Sequence, residues 1–345
     1  MLTKPIEPMM GFSETILQWY AACGRDLPWR HTRDPYRIWL SEVILQQTRI
    51  AQGLDYWLRF VDRWPTVHDL ASASEDEVLR LWQGLGYYSR ARNLHQAARQ
   101  IDQLGAFPST LQGIRQLKGV GDYTAAAIAS LAFDIDVAAV DGNVYRVLAR
   151  HYGIDTAIDT TQGKRLFASL AQSLLPQGQA ATFNQAMMDF GAIQCTPHSP
   201  LCDGCPVADT CDALHTHRTS TLPVKRKTAQ LKQRQLQYVY IRCQGYTAIH
   251  RRPAGDIWQG LYEPLVVEDA QLPSMAGRWT LLRQGVKHVL THRVLLADFW
   301  LLETDDRPPL PPGYQWIAEA DLDQYAVPRL VEKLLGCLSE KSEFN

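Results

Sequence analysis

Residues 117–150 read LKGVGDYTAAAIASLAFDIDVAAVDGNVYRVLAR, and this stretch decides how the rest of the chain is organised. Gly119 and Gly121 pinch a turn of the kind that joins two helices. Either can take a left-handed or crowded backbone conformation, and neither carries a side chain that would keep a ligand off the amides. The alanine-rich segment 123–133 then starts a helix whose first amides are unpaired and whose dipole end is positive, so an anion such as a phosphate would be stabilised beside the hairpin. An ordinary helix-turn-helix joint has the same signature. The apolar run 137–140 delivers Asp141 to the start of the next helix. N-capping is the default role there, and capping hydrogen bonds favour an ionised carboxylate.

The 345 residues are enough for two domains with their own cores, and 46% apolar content with 10 Trp fits a globular protein. A net charge of -1 excludes a chain coated in positive charge. A basic surface can still exist locally: between Asp212 and Asp256 there is no acid, while Arg218, Lys225, Arg226, Lys227, Lys232, Arg234, Arg242, Arg251 and Arg252 all fall there. Such a run is ordinarily a solvated linker, and a DNA contact is the sharper reading. The N-terminus has no apolar core of signal-peptide length and no segment is long enough to span a bilayer, so a cytoplasmic protein without membrane contact is expected.

Upstream of the hairpin, residues 12–22 read as a helix, followed by an irregular loop containing LPWR at 27–30. Asp34 with Pro35 marks a helix start, and one helix is expected to run on through YRIWLSEVILQQTRIAQ to residue 52. On it, Glu42 sits in a largely apolar stripe, where desolvation favours the protonated acid and raises its pKa. Further helices are expected over 55–64, 74–82 (with Ser74 and Glu77 as a capping box), 93–104, 110–117, 161–175 and 182–193. The loop QGLGYYSRAR at 83–92 carries aromatics and cations on flexible glycines, suited to packing or to wedging into nucleic acid.

Four cysteines, Cys195, Cys202, Cys205 and Cys211, are spaced C-x6-C-x2-C-x5-C. Four thiolates within seventeen residues can close on one metal centre, zinc or a 4Fe-4S cluster, and spacing alone does not choose. Cys23, Cys243 and Cys337 are scattered and read as buried thiols. Residues 215–235 are polar and basic without helical period and read as an interdomain linker, dividing a 1–214 domain from a 236–345 domain. In the latter, strand-like runs (LQYVYIRC, YTAIHR, LYEPLVV, KHVLTH, VLLADFWLLE) and a final helix over 328–338 predict an α+β fold with a mainly antiparallel sheet.

The hairpin LKGVGDYTAAAI, the acid in VDGNVYRVLAR and the cysteine loop together resemble the helix-hairpin-helix DNA glycosylases that carry an iron-sulphur cluster. Within them the chain is most similar to the MutY family of adenine DNA glycosylases, with LPWR, WLSEVILQQT, LWQGLGYYSRARNL and FNQAMMDFGA as supporting stretches. The resemblance implies a mainly α catalytic core of two helical lobes with one 4Fe-4S cluster on the cysteine loop. It implies a Nudix-like C-terminal domain, and as substrate duplex DNA with adenine opposite 8-oxoguanine or guanine, acted on by a monomer. By the same resemblance, Glu42 is the acid that protonates the departing base and Asp141 the carboxylate that stabilises the sugar cation. Tyr123 and Asn143 buttress them. Trp29, Arg30 and Gln185 line the base pocket, Gln47 and Tyr87 fill the gap left by a flipped base or probe its partner, and Gly119 and Gly121 hold DNA through backbone amides.

Departures from the family pattern are informative. Bifunctional relatives of the endonuclease III type place a lysine where this chain has Tyr123, so a monofunctional enzyme leaving an abasic site is expected. The lesion-reading tip Phe-Ser-His is here Leu290, Thr291 and His292, which keeps the hydroxyl and imidazole but loses the aromatic wedge. Residues 259–273 offer only Glu263, Glu268 and Asp269, without the acid-rich run of a working Nudix helix. In the hairpin, Lys118 and Asp122 replace the usual proline and arginine. Two other readings stand beside this one: an endonuclease III-like glycosylase of another base specificity, and a non-catalytic iron-sulphur DNA-binding protein.

Overall fold

Local capping chemistry sets the helix starts. Asp34 accepts a hydrogen bond from the Tyr36 amide at 2.9 Å with Pro35 in the first turn, Ser74 and Glu77 close a reciprocal capping box, and Thr110, Asp141 and Thr160 each cap the helix that follows them. The computed structural model describes residues 11–226, 232–268, 271–290 and 292–342. Its helices are α1 (Phe12–Cys23), α2 (Pro35–Ile44), α3 (Ile50–Arg63), α4 (Val67–Ser72), α5 (Glu75–Trp82), α6 (Ser89–Leu104), α7 (Leu111–Arg115), α8 (Asp122–Phe133), α9 (Gly142–His151), α10 (Thr161–Leu174), α11 (Ala180–Asp189), α12 (Asp212–His215) and α13 (Arg329–Ser342).

By internal contacts the described residues fall into two units, 11–71 with 96–226, and 72–95 with 232–342. In the first unit, α1, α9, α10 and α11 share a core around Ile16, Leu148, Phe167 and Phe190, all at most 1% exposed. Small side chains let α8 approach closely: Ala125, Ala127 and Ala129 are fully buried. In the second unit, strands β1 (Lys232–Arg242), β4 (Leu265–Glu268), β5 (Arg278–Val289) and β6 (Arg293–Glu303) form a sheet of order β4-β1-β6-β5. Strands β2 (Tyr246–Arg251), β3 (Tyr262–Glu263) and β7 (Tyr314–Ala318) form another of order β3-β2-β7. The pairings are antiparallel except β1 with β6, which run parallel from Lys232 opposite Arg293 to Arg242 opposite Glu303. α13 packs in the core beside Tyr238 and Phe299.

Four expectations change. The long helix through Glu42 breaks after Ile44: Gln47 takes a left-handed conformation (φ 56°), and α3 restarts after an extended Arg49. Gly53 makes the break compact, because a Cβ there would stand 2.6 Å from a Leu45 methyl. The run LYEPLVV splits at Pro264 into strands of different sheets. Cys23 is exposed, while Cys243 and Cys337 are buried as expected. The basic run is largely neutralised within the fold: Arg218 pairs with Asp212, Arg234 with Asp256 and Glu268, Arg242 with Glu319, Arg251 with Glu75 and Asp76, and Arg252 with Glu263. Of the stretch read as a linker, residues 227–231 lie outside the described residues, and β1 begins at Lys232.

The two hairpin glycines also differ. Gly119 has φ +76° and needs glycine for its backbone, whereas Gly121 is extended, and a Cβ there would meet nothing within 4 Å. Gly119→Ala is therefore expected to lower stability by about 1–2 kcal/mol, and Gly121→Ala to stay within about 0.5 kcal/mol of the parent. Urea melts of the two variants check this.

Candidate active site

A cleft of about 590 Å³ in the helical unit gathers side chains from separated parts of the chain: Trp29 and Arg30, Glu42 of α2, Gln47 of the turn after it, Tyr123 of α8, Asp141 and Asn143 at the start of α9, and Gln185 and Met188 of α11. The break between α2 and α3 is what brings Gln46 and Gln47 to its wall. Glu42 accepts a hydrogen bond from the Tyr123 hydroxyl at 2.8 Å. Burial pushes the Glu42 carboxyl up to about 7, helped by the nearby Asp141 charge; the Tyr123 bond and the Arg30 charge pull the other way. Burial and the two carboxylates also hold the Tyr123 hydroxyl well above its usual range, so it remains a donor.

Asp141 is fixed by the helix it caps. Its Oδ1 accepts from the amides of Asn143 (2.9 Å) and Val144 (2.8 Å), and its Oδ2 from the Asn143 side-chain amide (2.7 Å). Burial nevertheless raises its carboxyl above the usual range, against the lowering effect of those bonds and of Arg146. The bonds continue along α9: Arg146 donates to Asn143 Oδ1 at 2.8 Å and to the Cys195 carbonyl at 2.7 Å. One turn on, Arg150 donates to the carbonyls of Thr196 (2.7 Å) and Pro197 (3.0 Å) and to Cys195 Sγ (3.4 Å). Gly191 allows this approach, since a Cβ on it would stand 2.5 Å from Asn143 Cβ.

Asp189, which nothing in the sequence singled out, anchors the pocket arginine. It is fully buried and accepts from both Arg30 guanidinium nitrogens at 2.7 Å and from Arg25 Nε at 2.8 Å, and these partners hold its carboxyl below the usual range despite burial. Arg30 also lies 5.6 Å from the Tyr20 ring, and the Tyr20 hydroxyl donates to Gln185 at 2.9 Å. Trp29 is 7% exposed and packs edge-on against Trp57, so it backs the cleft more than it enters it. An aspartate late in an apolar helix was the available signal for Asp189; its two arginine partners lie more than 150 residues away in sequence.

Cys195, Cys202, Cys205 and Cys211 line one apolar cavity together with Val147, Phe190 and Val207. Backbone amides of Val207 and Leu214 donate to Cys205 and Cys211. Among the described residues no three His, Cys, Asp or Glu side chains stand together as ligands of a single ion. Four cysteines set around a shared cavity, with amides aimed at two of their sulphurs, fit a metal centre held by thiolates.

The other unit holds a second cleft, about 670 Å³, lined by residues 84–89 and by Trp258, His288, Leu290 and His292. Tyr87 is 49% exposed there with a left-handed backbone, while Tyr88 is buried. Thr291 lies outside the described residues. Glu263 and Glu268 are each taken up by an arginine. Gly119 and Gly121 line neither cleft. No helix among the described residues is long and apolar enough to cross a membrane.

Residues 40–173 match the HhH-GPD superfamily of base excision DNA repair proteins, and residues 237–336 match a NUDIX domain. The adenine DNA glycosylase of Mus musculus is 45% identical over 223 residues, 61% of this chain and 43% of that protein. The chain spans less than half the length of its mammalian relatives. The adenine DNA glycosylase of Buchnera aphidicola subsp. Schizaphis graminum (strain Sg) is 34% identical over 254 residues, 73% of each protein. The solved structure of a thermostable thymine-DNA glycosylase is 33% identical, covers 59% of this chain and 95% of its own, and has a TM-score of 0.56. With a helix-hairpin-helix core joined to a Nudix-like domain, this chain belongs to the adenine DNA glycosylase family.

Proposed function

We propose that this protein excises adenine opposite 8-oxoguanine or guanine in duplex DNA, as a monomer, and leaves an abasic site. The observation that carries the reading is a carboxyl, Glu42, held near pKa 7 at the floor of a cleft beside a helix-capped carboxylate, Asp141. Protonated Glu42 delivers its proton to the departing adenine as the C1′–N bond breaks and its electron pair leaves with the base. Asp141 stabilises the positive sugar, water adds to C1′, and the water's proton returns to Glu42. Asn143 orients Asp141, and Tyr123 orients Glu42 through its hydroxyl. Trp29, Arg30 and Gln185 contact the extruded base, and Gln47 and Tyr87 occupy or probe the space it vacates. Gly119 and Gly121 present hairpin amides to a phosphate. Leu290, Thr291 and His292 contact the partner base, in keeping with the cleft that Leu290 and His292 share with Tyr87.

The cysteine loop is proposed to hold one 4Fe-4S cluster on Cys195, Cys202, Cys205 and Cys211. When bound, it ties four thiolates of one short loop together, so that loading and folding of the loop are coupled. The likeness to a thymine-DNA glycosylase, at 33% identity over 59% of this chain, favours one second reading, removal of thymine. Duplexes carrying A opposite 8-oxoguanine, A opposite G, T opposite G, or thymine glycol, assayed with and without alkali, decide between them. Strand cleavage without alkali would defeat the monofunctional assignment, and release of thymine but not adenine would favour the second reading.

Three outcomes are expected. Excision should fall as pH rises through about 7, because Glu42 acts only while protonated; Tyr123→Phe removes a bond that lowers this pKa and should move the alkaline limb upward. Pre-steady-state rates across pH read both. Glu42→Gln should cost about 10²-fold or more in rate while keeping DNA affinity. It should also gain stability relative to the parent between pH 4.5 and about 7. In that window the unfolded carboxyl ionises while the folded one cannot, a difference on the order of 3 kcal/mol at most, measurable by denaturant melts at the two ends. Lastly, the purified protein should be brown, absorb near roughly 400 nm and contain iron and sulphide in equal amounts. Stoichiometric zinc would exclude the cluster.

A further inference from the structure

Seven non-glycine residues among those described have left-handed backbones. Four have local explanations: Asp134 caps the end of α8, Gln244 turns the chain with Gly245 between β1 and β2, and Ser199 and His217 sit in polar turns of the cysteine region. The other three are Gln47 (φ 56°), Tyr87 (φ 49°) and Trp258 (φ 59°). Gln47 and Tyr87 are the two residues proposed above to occupy or probe the space that the extruded base vacates. A bulky side chain in this conformation is costly and persists only where its surroundings over-determine it, most often at functional sites.

Trp258 is over-determined. Its carbonyl accepts from the Leu261 amide at 3.0 Å, Gly260 donates to the Arg252 carbonyl at 3.0 Å, and the Arg252 amide donates to Leu261 at 2.8 Å, closing a tight loop. Arg252 also donates to the Ile257 carbonyl at 2.8 Å and lies 5.9 Å from the Trp258 ring. Two residues before it, Asp256 accepts from Arg234 (2.8 Å), Arg252 (2.7 Å) and Arg293 (3.2 Å). Arg293 directly follows His292, so one carboxylate ties the Trp258 turn to the tip that carries Leu290 and His292. The half-buried ring stands 5.7 Å from His288 and forms part of the same cleft wall as Tyr87 and Leu290.

We infer that Trp258 is the aromatic wall against which the purine opposite the excised adenine is held, a specificity-determining residue in a cleft whose tip has leucine in place of an aromatic. The inference rests on the proposed reading of the second cleft. An indole offers any base a stacking face, and a base held against such a face keeps its edge within reach of neighbouring polar groups.

The test uses the full-length protein and duplexes with a tetrahydrofuran abasic analogue opposite 8-oxoguanine, opposite guanine, or opposite a second abasic analogue. Trp258→Leu keeps an apolar filler without an aromatic face, and Trp258→Phe keeps the face. The leucine variant should bind the 8-oxoguanine duplex about tenfold more weakly, while binding the base-free duplex as the parent does; the phenylalanine variant should retain most of the preference. If the two variants behave alike, or if all three duplexes weaken together, Trp258 is a packing residue and the inference falls. A parent protein without preference for 8-oxoguanine over guanine would instead overturn the functional reading of the cleft. Thermal melts of both variants confirm that folded protein is being compared.

Discussion

The N-cap that Asp141 places on α9 is the contact on which the helical unit depends. One carboxylate satisfies two otherwise unpaired helix amides, and in doing so it is held at the edge of a cleft where an exposed side chain would wander. The same helix carries Arg146 and Arg150, 8% and 3% exposed, along one face. Buried guanidiniums are tolerable only when their donors find acceptors, and here the acceptors are carbonyls of the cysteine loop. Carboxylate and cysteine loop are thus positioned by a single hydrogen-bonded helix, from its first residue to its last turn. Displacing either end leaves buried polar groups unpaired at the other.

The parts of this arrangement that were legible in the sequence are those with a local cause. Asp141 follows an apolar run and precedes a helix, Glu42 interrupts an apolar stripe, and four cysteines crowd into one loop; each can be found without knowing what packs against it. Arg146 and Trp258 have no such signature, and that of Asp189, an acid late in an apolar helix, does not name its partners. Asp189 matters because Arg25 and Arg30 converge on it from the other end of the unit, and Trp258 stands out only by a backbone angle. The break after Ile44 is hard to read because apolar residues resume at helical spacing, Ile50, Leu54 and Trp57, just beyond it. The polar QQT run and Gly53, whose missing side chain makes room for Leu45, were its only traces.

In the second unit the strand runs were legible where side chains alternate, and less so where the pattern is broken. β6, buried at Leu295, Ala297, Phe299 and Leu301 in alternation, occupies the run expected of it with Arg293 added in front. YQWIA of β7 is short and follows a proline-rich turn, and the first half of β5 carries arginines and a glycine among its apolar residues, so neither stands out locally as a strand. Pairing across the sheet supplies what the local pattern lacks: Arg278 lies opposite Glu303, and its guanidinium is 2.7 Å from that carboxylate. The parallel register of β1 on β6 is a non-local choice of this kind, and no feature of either strand announces it.

The balance at Glu42 explains why a tyrosine suits position 123. Burial and the Asp141 charge raise the carboxyl, and the Tyr123 bond and Arg30 lower it, so that a value near 7 is the resultant of opposed effects. A phenol held well above its ordinary pKa donates one hydrogen bond and brings no charge. An ammonium at the same place would stabilise the ionised carboxylate far more strongly, returning Glu42 toward an ordinary acid range where it would have no proton to give at neutral pH. An amine would also offer the sugar a nucleophile. The proposed acid-assisted departure of the base and attack by a lysine would thus place opposite demands on one position, and a neutral hydroxyl such as that of Tyr123 suits the first.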